Sequence, residues 1–205
     1  MATETPTPSP TPSPSPTPSP SPTPTVTETR DVDTSSRADR PLLRILTSKA
    51  PPRPAWKGLI PATLCAVAAL LALVGLGALA HQVLLVPPLA ASAALIFGAP
   101  ALPLSQPRSV VGGQLLSAGT GFVVLAVGGG SMAAAAVAGG LALGVMVVAR
   151  TPHSPAAATA VIVVLTEPAV LPFLSLLALA AVVLVVIGMA AGLNRAAPSY
   201  PSYWW

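Results

Sequence analysis

A histidine bracketed by two prolines lies in one of the least polar parts of the chain, in the run Thr151-Pro152-His153-Ser154-Pro155. Imidazole titrates near neutral pH, so a histidine in apolar surroundings can offer positive charge to an anion or carry a proton. Proline suits the first position of a helix, and the serine before Pro155 is a natural N-cap. We therefore expect a helix to begin here, with the backbone amides of Ala156, Ala157 and Ala158 available to a small anion.

A second proline-led run resembles the first one. Aligning Pro88 with Pro155 places Ser92 opposite Thr159, in Pro-Leu-Ala-Ala-Ser against Pro-Ala-Ala-Ala-Thr. The match is short and rich in alanine, but each copy is the middle piece of a three-segment half of the apolar region. Inverted repeats with broken middle helices are typical of transporters, and such breaks are tolerated where they line a cavity.

For other polar side chains in the apolar region, two interpretations are possible. Arg108 is either a charge that fixes membrane orientation or a guanidinium that attracts anions at a cavity mouth. Gln114 either lines a pathway or forms a hydrogen bond between helices. The complete set of candidate substrate-binding residues is His153, Ser154, Pro155, Ala156, Ala157, Thr159, Ser92, Gln106, Arg108 and Gln114.

The same residue inventory argues against catalysis and against bound metal. Two histidines and one cysteine, Cys65, are too few for a zinc or iron centre. Ser154 adjoins a histidine, but the sequence offers it no separate base and oxyanion arrangement. We predict no enzyme activity, no catalytic residue, no metal and no cofactor.

The amino-acid composition indicates whether the folded chain is surrounded by water or by lipid. Of 205 residues, 53% are hydrophobic and 8% are charged, and the charges concentrate before residue 58. The remaining 148 residues keep only Arg108, Arg150, Arg195 and Glu167. So few charges cannot solvate a globular surface, whereas a lipid bilayer suits such a chain. The basic residues are not grouped with aromatics, so membrane topology explains them better than nucleic acid does.

The apolar region divides into six segments, which predicts an all-α membrane protein. Five of them are near full length and the fifth in order, residues 156–165, is a half-helix of ten residues that reaches about halfway across a bilayer core of roughly 30 Å. It either crosses with its flanking loop or dips in and returns. With three segments in each half, the pattern allows a 3+3 inverted repeat. The segments cover about residues 58–80, 83–104, 110–127, 131–149, 156–165 and 169–193.

The ends of the chain differ from this core. Residues 1–56 begin with Thr-Pro and Ser-Pro repeats that have nothing to bury, and then become basic, so we expect a disordered cytoplasmic tail with polyproline II character. Residues 57–195 form the transmembrane domain. Residues 196–205 form a short aromatic tail whose tyrosines and tryptophans fit an anchor at the membrane interface.

Several runs together resemble the HPP family of integral membrane proteins over about residues 58–194. They are residues 91–100, residues 103–117 with their Gln-Pro-Arg and Gly-Gly pattern, and residues 150–160. The resemblance implies movement of a small anion, with nitrite as substrate, because similar plastid and cyanobacterial members are associated with nitrite transport. Two positions depart from the family: Ser154 replaces the middle proline of His-Pro-Pro, and Gln114 stands where histidine often follows the glycine pair.

The leading hypothesis is therefore an integral membrane transporter or channel for a small inorganic anion such as nitrite, bound near helix N-termini at the membrane midplane. The alternative is a membrane assembly or sensory protein that does not transport and recruits a partner through its proline-rich tail. We expect a multi-pass protein of the bacterial inner membrane whose partners are lipid and the anion, and not nucleic acid. The sequence leaves the oligomeric state open.

Charge placement gives a first testable prediction. If the amino terminus is cytoplasmic and all six segments cross, then Arg108, Arg150 and Arg195 lie inside and Glu167 lies outside, as the positive-inside rule requires. A reporter fused to the carboxyl terminus should then be found in the cytoplasm. A reporter found outside would eliminate the six-crossing topology.

Overall fold

The computed structural model describes residues 55–83, 86–193 and 199–204. Residues 1–54 of the predicted disordered tail, its proline-rich recruitment role and Arg195 lie outside these residues. Within them the regular structure is helical, as predicted, and consists of six α-helices and one 3-10 turn. The helices are α1 (Trp56–Leu79), α2 (Pro87–Gly98), α3 (Pro107–Gly128), α4 (Met132–Val148), α5 (Ser154–Thr166) and α6 (Val170–Gly192).

Three of these helices, α1, α3 and α6, are long and apolar enough to cross a membrane, at 24, 22 and 23 residues. The other three are shorter apolar helices. Valine, leucine and isoleucine side chains remain exposed on the outer faces, where lipid replaces water as the solvent. The chain is an integral, multi-pass membrane protein.

The second segment is shorter than the sequence predicted. The prediction of a near full-length segment over residues 83–104, interrupted early by Pro87 and Pro88, was wrong in its length, because α2 holds only 12 residues and is followed by a separate 3-10 turn, Pro103–Ser105. Prolines set both limits of the helix. Pro87 and Pro88 occupy its first turn, and Pro100 has no N–H with which to continue it beyond Gly98. The domain therefore contains two half-length helices, α2 and α5, and not one.

The short helix α5 crosses the domain and does not turn back. At its start the Thr151 side chain packs against Gly112, and at its end the Glu167 carboxylate fills the space beside Gly130. Since Gly112 lies near the beginning of α3 and Gly130 lies just beyond its end, this part of the chain runs from one end of α3 to the other. The loop before α5 supplies the length that the helix lacks.

The two halves of the domain pack alike. Helix α1 packs on α2 and α6, as α4 packs on α5 and α3; helix α2 packs on α6, as α5 packs on α3. Of these pairs, only α1 with α2 and α4 with α5 lie within one half, and the others, including α2 with α5 and α3 with α6, join the halves. This pattern is unchanged when α1, α2 and α3 are exchanged with α4, α5 and α6, as an internal repeat requires. An odd number of segments per half gives the two copies opposite orientations in a membrane.

The repeat holds residue by residue from α2 onward. A shift of 67 residues, the separation of Pro88 from Pro155, also relates Gly121 of α3 to Gly188 of α6. Gly121 packs on Val163, and Gly188 packs on Ile96, which is the residue 67 positions before Val163. The same shift relates the buried positions 110, 113, 114, 117, 118 and 121 of α3 to the buried positions 177, 180, 181, 184, 185 and 188 of α6.

We expect the two equivalent glycines to be intolerant of a methyl group. A β-carbon at Gly121 would lie 2.8 Å from the Ala160 carbonyl oxygen, and one at Gly188 would lie 2.6 Å from Ile96 Cγ2. Gly121→Ala and Gly188→Ala should each lower the free energy of unfolding by about 1–3 kcal/mol, as overpacking does. The measurement is the thermal unfolding midpoint in detergent.

Gly144→Ala is the matched control, because Gly144 also lies within a helix but has open space around it. Its midpoint should stay level or rise, since alanine favours helix. Equal midpoints for Gly121→Ala and Gly144→Ala would show that the α3–α5 contact is not close packed.

Candidate functional site

Four polar side chains meet where α2, α3 and α5 pack together. They are Ser92, Gln114, His153 and Thr159, and each exposes 2% or less of its surface. All four were predicted to line the site, from three separated parts of the sequence. We call them the buried polar network.

The network is a continuous chain of hydrogen bonds. The Thr159 hydroxyl donates to Gln114 Oε1 at 2.5 Å, and Gln114 Nε2 donates to Ser92 Oγ at 3.0 Å. Ser92 Oγ lies 2.7 Å from His153 Nε2. His153 Nδ1 lies 2.7 Å from the Leu104 carbonyl oxygen. A carbonyl oxygen only accepts, so Nδ1 carries a proton and donates it there.

The two hydroxyls that the aligned runs place opposite each other thus meet at one amide. Ser92 of α2 and Thr159 of α5 both bond to the Gln114 side chain. A side-chain amide has one end that donates and one that accepts, and here each end serves one half of the repeat. Gln114 belongs to the first half alone and joins the two half-length helices.

Ser92 and Thr159 are counterparts of each other, but Gln114 and His153 of the network have no polar counterparts in the repeat. The 67-residue shift takes Gln114 to Ala181 and Ser117 to Leu184, and it takes Val86 to His153. Val86 and His153 are both N-caps, of α2 and α5 respectively. The repeat therefore supplies two equivalent places for a polar site, and polar side chains fill one of them.

The N-terminus of α5 differs from the prediction. His153 is the N-cap and makes no side-chain capping bond, while Ser154 is the first helical residue and is exposed. The prediction of Ser154 as N-cap was wrong by one residue, because proline fits the second helical position as well as the first. Pro155 has no N–H to offer.

Of the alanines predicted to bind an anion through their amides, Ala156 is already engaged. Its N–H donates to the His153 carbonyl oxygen at 3.0 Å, and its own carbonyl accepts a bond from the Ser117 hydroxyl. Ala157 is half-buried and Ala158 is exposed. The polar side chains of the network, and not a row of amides, are the prominent feature at this helix start.

Gln106 lies outside the network and holds loops together. Its Nε2 donates to the carbonyl oxygens of Pro100, at 2.8 Å, and Leu102, at 2.9 Å. Its Oε1 accepts a bond from the Ser202 backbone N–H at 2.9 Å. The side chain thereby fixes the turn between α2 and α3 and attaches the carboxyl-terminal segment to it.

Arg108 also acts on a helix end. Its Nη2 donates to the carbonyl oxygen of Ala149, the C-cap residue of α4, at 3.0 Å. The carbonyls at a helix C-terminus carry partial negative charge, so a guanidinium there stabilises the end of α4. Arg108 and Gln106 therefore fix the loops around His153, while the four buried residues form the site itself.

Sequence analysis missed the role of Tyr200. The expected interfacial anchor is only partly correct, because Trp204 is exposed whereas Tyr200 is buried against Gly188 and Gly192. Burial raises the pKa of the Tyr200 hydroxyl above its usual value. The signal in the sequence was the pair of glycines one helical turn apart, which leaves a flat surface for an aromatic ring.

The network lies closed and off centre in this structure. Gln114 is seven residues beyond the start of α3, which is about 10 Å along a helix about 33 Å long. The site is therefore nearer the end where α3 begins than the middle of that helix. Arg108 and Arg150 lie at that same end, and Glu167 lies at the opposite end. Within the described ranges, no three His, Cys, Asp or Glu side chains group as a metal site would need.

These features define a class of protein: a multi-pass α-helical membrane protein with an internal repeat, two half-length helices and one buried polar site. The sequence pattern of the HPP transmembrane region matches residues 51–201. The chain belongs to the HPP transmembrane family.

One curated relative is a transmembrane protein of Dictyostelium discoideum, which is 33% identical over 138 residues. The matched region covers 62% of this chain and 47% of that protein, so the chain spans about half the length of the relative. No solved structure matches the chain.

Gln114 should contribute strongly to stability. Gln114→Leu keeps the volume but leaves the Thr159 hydroxyl without its acceptor and Ser92 without one donor, and each buried unsatisfied group costs about 1–3 kcal/mol. The control is Thr120→Val, since the Thr120 hydroxyl bonds to the Leu116 carbonyl oxygen of its own helix. If thermal unfolding shows equal losses for the two variants, the bonds of Gln114 do not join the halves.

Proposed function

We propose that this protein moves a small inorganic anion of the nitrite class across a membrane, as a transporter that binds it at the buried polar network. The observation that supports the proposal most directly is the meeting of Ser92 and Thr159, from two half-length helices, at the Gln114 amide. Inverted repeats with broken helices and a polar site at their interface are a transporter architecture.

The burial of these groups favours function over plain structural support. Polar side chains inside a membrane domain are costly, and a histidine there is a functional candidate by default. The equivalent positions Ala181, Leu184 and Val86 show that this fold packs with apolar residues at the same places. Packing alone therefore does not require Gln114, Ser117 or His153.

The chemical groups in the buried polar network favour a small anion as the ligand. Hydroxyl, amide and imidazole groups all have N–H or O–H donors that can turn toward a negatively charged oxygen. Among the described residues, Arg108 and Arg150 are the formal charges at that end of the domain, and Glu167, which would repel an anion, lies at the far end. Nitrite enters the proposal through the resemblance alone.

The closed network implies a transporter more than an open channel. Each of its four side chains is bonded to another, and none is exposed, so an anion enters only after these bonds open. We further propose that the end carrying Arg108 and Arg150 faces the cytoplasm, with the amino terminus inside, in the inner membrane of a bacterium.

The test is uptake of nitrite into proteoliposomes, with nitrate, formate and chloride as competitors. Wild-type protein should give saturable uptake above empty liposomes. His153→Ala should lower it about tenfold or more, because a lost hydrogen bond to a charged group is worth at least one power of ten in binding. The matched control is Val86→Ala, which alters the equivalent N-cap in the other half and should retain uptake.

A second part of the experiment tests the alternative that the protein recruits a partner through its proline-rich tail. Protein lacking residues 1–29 should transport as the full chain does, because the network lies wholly within residues 92–159. Equal nitrite uptake by His153→Ala and wild-type protein, or no nitrite uptake above empty liposomes, would contradict the proposal.

A further inference from the structure

The Ser92 hydroxyl has a choice of partners. Its oxygen lies 2.7 Å from His153 Nε2 and 2.8 Å from the Pro88 carbonyl oxygen, and it accepts a bond from Gln114 Nε2 at 3.0 Å. A hydroxyl has one hydrogen to donate and two lone pairs that accept. The hydrogen therefore goes either to the imidazole or to the carbonyl, and not to both at full strength.

Each choice corresponds to one protonation state of His153. In the neutral ring, Nδ1–H donates to the Leu104 carbonyl, and the bare Nε2 accepts the Ser92 hydrogen. In the protonated ring, Nε2–H donates to Ser92 Oγ, and the hydroxyl hydrogen turns to the Pro88 carbonyl. Both states keep the two imidazole nitrogens and the Ser92 hydroxyl bonded, and they differ by the rotation of one hydroxyl, with no heavy atom displaced.

Among the described residues, no carboxylate lies near the protonated ring to serve as its counter-charge. The groups that neighbouring elements present near His153 are the Ser92 hydroxyl of α2, the Leu104 carbonyl, the Gly113 backbone of α3 and the Met146 thioether of α4, and none of these titrates. Arg108 of α3 and Arg150 of the preceding loop are both cationic, with Arg108 bonded to the Ala149 carbonyl. The carboxylate within the described residues, Glu167, lies at the other end of α5.

Buried charge without a partner is strongly unfavourable, so a bound anion and the proton on His153 should stabilise each other. Such a coupling is reciprocal: the anion promotes protonation as much as the proton promotes anion binding. We infer that the proton is the coupling ion of this protein, that it binds at His153 Nε2 through the switch of the Ser92 hydroxyl, and that it moves together with one monovalent anion. Net transport is then electroneutral. This inference rests on the proposed function.

The transport experiment separates proton coupling from simple anion movement. Nitrite uptake should be accelerated by an acidic exterior and alkaline interior, and it should not respond to a membrane potential imposed with potassium and valinomycin. Liposomes carrying His153→Gln, which cannot be protonated, give the background, including diffusion of undissociated nitrous acid. Uptake that follows the potential and ignores the pH gradient would overturn the inference and leave anion transport intact.

Variants of Ser92 test the switch itself. Ser92→Ala removes both the donor to neutral imidazole and the acceptor for protonated imidazole, so pH-driven uptake should fall about tenfold, the size expected for a hydrogen bond to a charged group. Ser92→Thr keeps the hydroxyl and should retain more of the pH-driven uptake than Ser92→Ala, because threonine already occupies the equivalent position 159. Thr120→Val is the control outside the network, since the Thr120 hydroxyl bonds to the Leu116 carbonyl oxygen of its own helix. Equal losses for Ser92→Thr and Ser92→Ala would exclude the hydroxyl switch.

A spectroscopic measurement decides the inference even if uptake fails. The chain has two histidines, so nitrogen-15 NMR of histidine-labelled His81→Gln protein in nanodiscs reports His153 alone. Adding nitrite at constant pH should raise the protonated fraction of His153, and the rise should be lost in Ser92→Ala. If His153 protonates with nitrite while uptake is absent, proton and anion binding are coupled and the transport proposal fails. If uptake is present and His153 stays neutral, the proton coupling fails.

Discussion

The structure depends on one constraint of the bilayer: polar groups within it must find partners in the protein, since lipid offers none. The buried polar network meets this constraint with a single chain of bonds from Thr159 through Gln114 and Ser92 to His153 and a backbone carbonyl. Removing one member leaves its neighbours unsatisfied at a depth where water does not replace it. The loops around the network obey the same constraint through Gln106 and Arg108, whose donors occupy carbonyls that the broken helices leave without partners.

Small residues make this arrangement possible. Gly113 lets the β-carbon of His153 approach the α3 backbone, and Gly121 lets α5 lie against the same helix two turns further on. In a membrane, close backbone approach and good packing replace the hydrophobic effect as the source of helix association. The second half of the repeat has the same kind of close contact at Gly188, which packs against Ile96 and Tyr200. Close packing and the polar site therefore arise from the same helix face of α3.

Sequence reasoning found most of the fold and part of the site. Composition and segment length predicted six helices in an all-α membrane domain, and the alignment of Pro88 with Pro155 predicted that Ser92 and Thr159 are equivalent. It did not predict that α2 ends at Gly98, because residues 99–104 are nearly as apolar as the helix and only the positions of Pro100 and Pro103 mark the break. Sequence reasoning also assigned Gln106 to the anion site. Its partners are instead the carbonyls of a turn and the backbone of residue 202, and no local sequence pattern indicates the contact with residue 202.

The network joins the two halves of the repeat, so ligand binding at the network is linked to the movement of one half against the other. Three bonds of the network cross from one half to the other: Gln114 to Thr159, Ser92 to His153, and His153 to the Leu104 carbonyl oxygen. The bond between Gln114 and Ser92 lies within one half. Rocking of one half against the other acts on all three crossing bonds. Each is worth about 0.5–1.5 kcal/mol net, so opening them costs at least as much as the 1–3 kcal/mol typical of coupling between two sites. A ligand that replaces these bonds with its own can therefore shift the balance between closed and open states, because the groups that bind it are the groups that hold the halves together.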